Sequence, residues 1–161
     1  MRRSADGFTL IELLVVVTIG AVLSALVVLS VGAWSSPADP RRQLSRFSAL
    51  LDFHCEQSMF QSRPRGIRIT DQGFDFWQGR PEGWTALPAS GHSRPRRWLG
   101  NVDVDLILEG RRQALDDTIE LPQIQCQPLG QVTPFEVALT SDEQTIQLVV
   151  SGGGQARFME G

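Results

Sequence analysis

The chain has 161 residues, of which 42% are hydrophobic and 20% charged, with a formal net charge of −3 and a pI near 5.3. That balance argues against a nucleic-acid-binding protein driven by overall charge. About 34 residues belong to a leader and an apolar segment, leaving roughly 125 for one soluble domain with a modest core. All 15 basic residues are arginines, and tyrosine is absent.

The chain opens with a short basic leader, Met1–Gly7, followed by Phe8-Thr9-Leu10-Ile11-Glu12-Leu13-Leu14. From Leu13 to Trp34 runs a stretch of 22 residues without a charge, long enough to cross a bilayer. A carboxylate at membrane depth costs about 2.5–3.5 kcal/mol even on lenient insertion scales. Glu12, at the start of this stretch, is therefore read as a functional residue that needs a cationic partner. Arg2 and Arg3 precede the span, whereas acidic and basic residues mix after it. The positive-inside rule then keeps the N-terminus cytoplasmic and sends the C-terminal domain to the periplasm or cell exterior.

Two simple readings compete for this segment. Val31-Gly32-Ala33 resembles a signal-peptidase site, but the apolar run exceeds the usual h-region of about 7–15 residues and Glu12 interrupts its start. A plain membrane anchor fits the length and leaves Glu12 without a role.

The leader, the Phe8–Glu12 motif and the Leu13-Leu14-Val15-Val16-Val17 run together resemble the N-terminal signal of the type IV pilin and type II secretion pseudopilin superfamily. The resemblance implies cleavage between Gly7 and Phe8 by a prepilin peptidase and N-methylation of Phe8. It also implies that Glu12 becomes the fifth residue of the mature chain. The cut creates an α-amino group at Phe8, and the Glu12 carboxylate of a neighbouring subunit can pair with it, each charge relieving the other's desolvation. Such pairing works only between staggered subunits, so Glu12 would set register in a filament. Removal of Arg2, Arg3 and Asp6 takes away a net charge of +1 and leaves −4. Gly20 with Ser24, and Ala21 with Ala25, form small-xxx-small pairs that allow close helix approach.

Ser35-Ser36-Pro37-Ala38-Asp39-Pro40 is a break. Asp39 followed by Pro40 reads as an N-cap and first helical residue of a second helix near 40–62. Its expected apolar stripe is Leu44, Phe47, Leu51, Cys55 and Met59. The resulting organisation is a cleaved leader over 1–7, a transmembrane and filament-core helix over 8–34, a kink or linker over 35–40, and a periplasmic α+β domain over 41–161.

Beyond Pro64 the pattern turns to strands. Gly66–Thr70 and Phe74–Trp77 flank the hairpin signal Asp71-Gln72-Gly73, and a Pro/Gly/Arg-rich loop follows from about Gly79 to Gly100. Further strands are expected at Val102–Leu108, Ile119–Leu121, Ile124–Gln127, Phe135–Thr140, Thr145–Val150 and Ala156–Met159. Short strands with turn residues between them suggest an antiparallel sheet or small sandwich. The fold class is therefore α+β, an amphipathic helix packed on an antiparallel sheet. The helix at 44–62, Arg65-Gly66-Ile67 and the stretch Gly130-Gln131-Val132-Thr133-Pro134-Phe135 resemble the H-type minor pseudopilins of type II secretion.

Cys55 and Cys126 permit a disulfide in an exported domain, and they equally suit two buried thiols. His54-Cys55-Glu56 contains three ligand types, but consecutive helical residues point in different directions, and no spacing to His92 or Cys126 makes a metal site. Asp103, Asp105, Asp116 and Asp117 do not spell out a calcium cage and read as solvated positions. Gly152-Gly153-Gly154 reads as a turn between strands. With no nucleophile elbow, triad or phosphate loop, no catalytic residue, cofactor or metal is assigned. Arg94, Arg96 and Arg97 beside Trp98 form a dense basic patch, read as a solvated loop in preference to a nucleic-acid surface.

The resemblance implies a minor pseudopilin assembled near the tip of a periplasmic pseudopilus that drives export of folded proteins. Its partners would be the major subunit, the tip minor subunits, prepilin peptidase and an inner-membrane assembly platform, with the chain inserted once in the inner membrane before assembly. The alternative within the superfamily is a minor type IV pilin serving pilus assembly or DNA uptake. The C-terminal segment, Gln155–Gly161, sets one arginine against Glu160 and weakens a DNA-binding reading.

Overall fold

The computed structural model describes residues 10–32, 37–116, 119–142 and 144–161, and within the first of these the side chains of 10–23. The chain divides into two compact units, Met1–Ser36 and Pro37–Gly161. In the first, α1 spans Leu10–Gly32, 23 residues, or about 35 Å at the α-helical rise. Its side chains from Leu10 to Leu23 are all exposed, Leu10 at 88% and Ile11 at 72% among them. A helix apolar around its circumference has no face to turn to water. Among the residues with described side chains no helix is long and apolar enough to cross a membrane; that stretch of α1 is shorter than its backbone helix. The Thr18 hydroxyl donates to the Leu14 carbonyl at 2.7 Å, so this polar group is satisfied within the helix.

The second unit begins with a turn at Pro37–Ala38 and then α2, Pro40–Gln61. The Asp39 carboxylate accepts from the Arg41 amide at 2.8 Å, and Pro40 is the first helical residue. A side-chain acceptor satisfies an otherwise orphaned amide there, and proline has no amide to satisfy. The helix ends at Ser62, which adopts φ 50° and ψ 40°, and the Arg63 amide then donates to Ser58 O at 3.2 Å.

The buried face of α2 comprises Pro40, Gln43, Leu44, Phe47, Ser48, Leu50, Leu51, His54 and Ser58. Met59, expected on that face, is 48% exposed, and Cys55 is only half-buried. Successive steps of four residues each drift about 40° around a helix, so Cys55 and Met59 stand about 80° and 120° from Phe47. His54 and Ser58 return to within about 20° of it and take the core positions.

Among the described residues ten strands follow, all antiparallel. The first sheet holds β1 (Arg65–Ile69), β2 (Gly73–Arg80), β3 (Gly83–Ala86), β4 (Arg96–Arg97) and β7 (Ile124–Cys126). Its order is β3-β2-β1-β7, with β4 pairing the N-terminal end of β2 at Gly73 and Phe74. The second sheet holds β5 (Asp103–Leu108), β6 (Arg111–Arg112), β8 (Phe135–Thr140), β9 (Thr145–Val150) and β10 (Ala156–Glu160), in the order β10-β9-β8-β5-β6. Strict alternation buries Phe135, Val137 and Leu139 on β8 and Ile146, Leu148 and Val150 on β9. Val137 lies opposite both Leu106 and Leu148. The helix packs against both sheets, and Phe47 is the aromatic hub: it meets Phe74 at 5.0 Å, Phe135 at 6.0 Å and Trp98 at 6.3 Å between ring centroids.

Three expectations about strands need correction. The stretch from Gly79 to Gly100 is not a bare loop: it contains β3, a 3₁₀ turn at Gly91–Ser93 and β4. Strand β3 is an edge with Gly83, Thr85 and Ala86 exposed, so it lacks the apolar alternation that would announce it. Strand β6 was likewise missed, because its hairpin turns on Glu109 and Gly110, both at positive φ (50° and 75°), and glutamate is not a signal for such a turn. Ile119–Leu121 is no strand, although its apolar ends suggested one. The Gln123 side chain occupies the hydrogen-bonding position beside β1 instead, accepting from the Ile69 amide at 2.9 Å and donating to its carbonyl at 2.8 Å. Arg68 Nη1 donates to the Ile119 carbonyl at 3.0 Å.

Candidate functional site

Glu12 lies in the first turn of α1, where the partial positive charge of a helix N-terminus favours a carboxylate. It is exposed, as are Ile11 and Leu13 on either side. Gly7 and Phe8, the expected cleavage and methylation positions, lie outside the described residues, as do Ala33 and the side chains of Ser24 and Ala25.

Cys55 of α2 and Cys126 of β7 are joined by a disulfide, their Cα atoms 5.0 Å apart and 71 residues apart in sequence. Ser58, one turn beyond Cys55, places its hydroxyl 2.9 Å from Cys126 O and 2.9 Å from Arg63 O. The end of α2 is thus tied to β7 by a covalent bond and a buried hydroxyl.

The three adjacent residues of His54-Cys55-Glu56 go separate ways. Cys55 is consumed in the disulfide, Glu56 is exposed, and His54 is 1% exposed in the core. The His54 ring stacks on Phe76, and its Nε2 lies 3.4 Å from the His92 carbonyl. Burial pushes its pKa down to about 4, with the positive field of Arg65 adding to the effect. Its Nδ1 has no hydrogen-bond partner among the described residues. A neutral imidazole in such a place acts as an aromatic packing element, and this role of His54 was not foreseen. The periodicity of α2 could have signalled it, since His54 lies seven residues beyond Phe47. Among the described residues no group of three His, Cys, Asp or Glu could hold a metal ion. Asp105 is instead paired with Arg112 at 3.0 Å.

The basic patch is larger than its sequence run. Gln43 clamps the chain after β4 onto the start of α2: its side chain accepts from the Leu99 amide at 2.7 Å and donates to the Leu99 and Ala38 carbonyls at 2.9 Å. This clamp brings Arg42 and Arg46 of α2 beside Arg96 and Arg97 of β4 around one cleft. Burial lowers the pKa of Arg96, and the neighbouring charges of Arg46 and Arg94 lower it further. Arg42 and Arg46 were not foreseen as members of the patch. Trp98, in contrast, is no exposed stacking platform: it is 9% exposed, packs on Phe47 and Phe74, and donates from Nε1 to Thr70 O at 3.1 Å.

At the C-terminus, Glu160 pairs with Arg41 at 2.6 Å, and the Arg41 guanidinium lies over the Phe158 ring. This arginine from α2, rather than Arg157, answers Glu160.

The chain matches the family described as the prokaryotic N-terminal methylation motif over residues 2–28. Similar curated proteins include the type II secretion system protein H of Aeromonas hydrophila, 27% identical over 91% of this chain and 86% of the relative. The protein of the same name from Pseudomonas aeruginosa is 26% identical over 85% of this chain and 84% of its own length. Among solved structures, the minor pseudopilin EpsH of Vibrio cholerae superposes with a TM-score of 0.62 at 16% identity, covering 76% of this chain and 97% of that one. The solution structure of E. coli GspH gives a TM-score of 0.60 at 22% identity, covering 74% and 87%. The two structural matches show a shared fold, and the sequence matches add the N-terminal methylation motif and a similarity over most of the chain: the protein resembles the H-type minor pseudopilins of type II secretion.

Proposed function

We propose that this chain is a minor pseudopilin of a bacterial type II secretion system. The observation that carries the reading is the union in one chain of the methylation motif at 2–28 with full-length similarity to proteins named for that system. Prepilin peptidase would cut between Gly7 and Phe8 and methylate the new Phe8 amine. The processed helix would sit once across the inner membrane, N-terminus cytoplasmic, with 41–161 in the periplasm. An inner-membrane assembly platform would then move it into the pseudopilus near the tip, against the major subunit and the tip minor subunits.

The physical support is twofold. An apolar helix of about 35 Å needs either lipid or neighbouring helices around it. A carboxylate at its start is best accommodated by a cation at the same depth, and the Phe8 amine of an adjacent subunit is one. The role is structural, and no catalytic residue is assigned. Intact mass of the membrane-extracted protein tests processing: an N-methylated Phe8 start supports the reading, and a Trp34 start overturns it. Cross-linking in cells tests assembly, the expected adducts being other pseudopilins.

A further inference from the structure

Arg42, Arg46, Arg96 and Arg97 come from two segments about fifty residues apart and meet at one cleft of about 200 Å³, and the charge of Arg94 acts on Arg96 beside it. None of the five has a carboxylate within ion-pair distance among the described residues; the ion pairs there belong to Arg41, Arg68 and Arg112. Arg96 Nε is enclosed without a hydrogen-bond partner. Four of the five are exposed and Arg96 is half-buried, and like charges set together in this way favour an anion between them. The cleft rim is apolar, with Pro37 and Leu99 both exposed.

We infer that this arginine cleft is a binding site for the phosphate headgroup of an anionic phospholipid. The inference rests on the membrane-anchored reading given above. Only residues 33–39 separate Gly32, the last residue of α1, from Pro40, the first of α2. Even fully extended, that stretch reaches no more than about 28 Å. An anchored subunit therefore keeps Arg42 and Arg46 tethered within reach of the bilayer, and clustered arginines at such a surface are attracted to anionic lipid. Guanidinium forks bind phosphate oxygens in a bidentate manner, and an apolar rim beside them suits the boundary between headgroups and acyl chains. A nucleic acid is a poorer occupant, because the aromatic ring in this region, Trp98, is committed to the core. The site would hold an unassembled subunit against the membrane, and extraction into a filament would exchange the lipid for protein.

The test uses the full chain with a photo-reactive phenylalanine analogue in place of Leu99, reconstituted in vesicles of phosphatidylcholine with or without about a quarter phosphatidylglycerol. Stable insertion into phosphatidylcholine alone checks the anchored reading separately. Mass spectrometry of the adducts then reads the cleft. The expected result is phosphatidylglycerol adducts enriched about tenfold over bilayer composition, falling toward that composition in Arg42→Gln/Arg46→Gln and in high salt. Thermal unfolding of the double variant, unchanged from the parent, confirms that its fold is intact. Adducts in proportion to bilayer composition overturn the proposal. So does a parallel cross-link in cells that goes to an acidic protein segment and yields no lipid adduct.

Discussion

The imidazole of His54 lies flat against the ring of Phe76, their centroids 4.0 Å apart and their planes 19° from parallel. Phe53 meets His54 edge-on at 5.3 Å, and His92 in turn lies against Phe53 with centroids 4.5 Å apart. The 3₁₀ turn that carries His92 is thereby fastened to α2 through aromatic surface and one backbone carbonyl.

Acid should loosen this arrangement. His54 titrates at about 4 in the fold and near 6.5 when the chain is unfolded, so the unfolded chain takes up the proton first as pH falls. The contribution of the neutral imidazole is fully present above about pH 6.5, is lost progressively as pH falls toward 4, and changes no further below that. Its full size is on the order of 3 kcal/mol. Urea unfolding at pH 7.5 and at pH 4.5 should show a marked loss for the parent protein and a smaller one for His54→Leu. Equal losses in the two proteins would remove His54 as the source.

The disulfide closes a long loop, 71 residues of sequence separation, between the helix and the edge of the first sheet. Such crosslinks typically stabilise by about 2–4 kcal/mol, and the loop-entropy account puts a loop of this length at the upper end. Reduction, or the double change Cys55→Ser/Cys126→Ser, should lower the unfolding midpoint by a corresponding amount. Reducing agent should then have no further effect on the double variant.

Gly66 is where β1 passes under a lid of side chains. A Cβ added there would fall 2.5 Å from Pro122 Cγ and 2.9 Å from the Trp84 ring. Pro122 belongs to the irregular segment before β7 and Trp84 to β3, so both would have to move. Gly66→Ala should cost about 1–3 kcal/mol in chemical denaturation, with the far-UV spectrum retained. An unchanged midpoint would mean that the packing over β1 is loose.

What could be read from sequence depended on how local the cause was. Asp39-Pro40 announced the start of α2 because a cap and a proline act within one turn. The strands β8 and β9 were legible from alternation alone, since one face of each is buried. Where a side chain replaces backbone pairing, as Gln123 does beside Ile69, a tripeptide with apolar ends such as Ile119–Leu121 misleads. Strands β3 and β4 were hidden because an exposed edge carries no hydrophobic period. The arginine cleft was half legible: Arg94, Arg96 and Arg97 are adjacent in sequence, but Arg42 and Arg46 join them only through the Gln43 clamp on Leu99. The aromatic that seemed to complete the patch, Trp98, belongs to the core instead.

Glu12 gives the sharpest test of assembly. In the proposed function, processing acts at the bond between Gly7 and Phe8, whereas pairing with a neighbour would rest on the Glu12 charge. Glu12→Val makes the start of α1 wholly apolar, which favours membrane insertion by removing a cost of about 2.5–3.5 kcal/mol. Cleavage and methylation should therefore persist, and the variant should accumulate in the membrane fraction. Incorporation into sheared filaments, or cross-linking to neighbouring pseudopilins, should fall at least about tenfold, since the partner's Phe8 amine would be left buried without an opposite charge. Glu12→Asp keeps the charge on a shorter arm and should recover part of the incorporation. Valine and parent chains assembling equally well would eliminate the pairing role and leave Glu12 without a function in register.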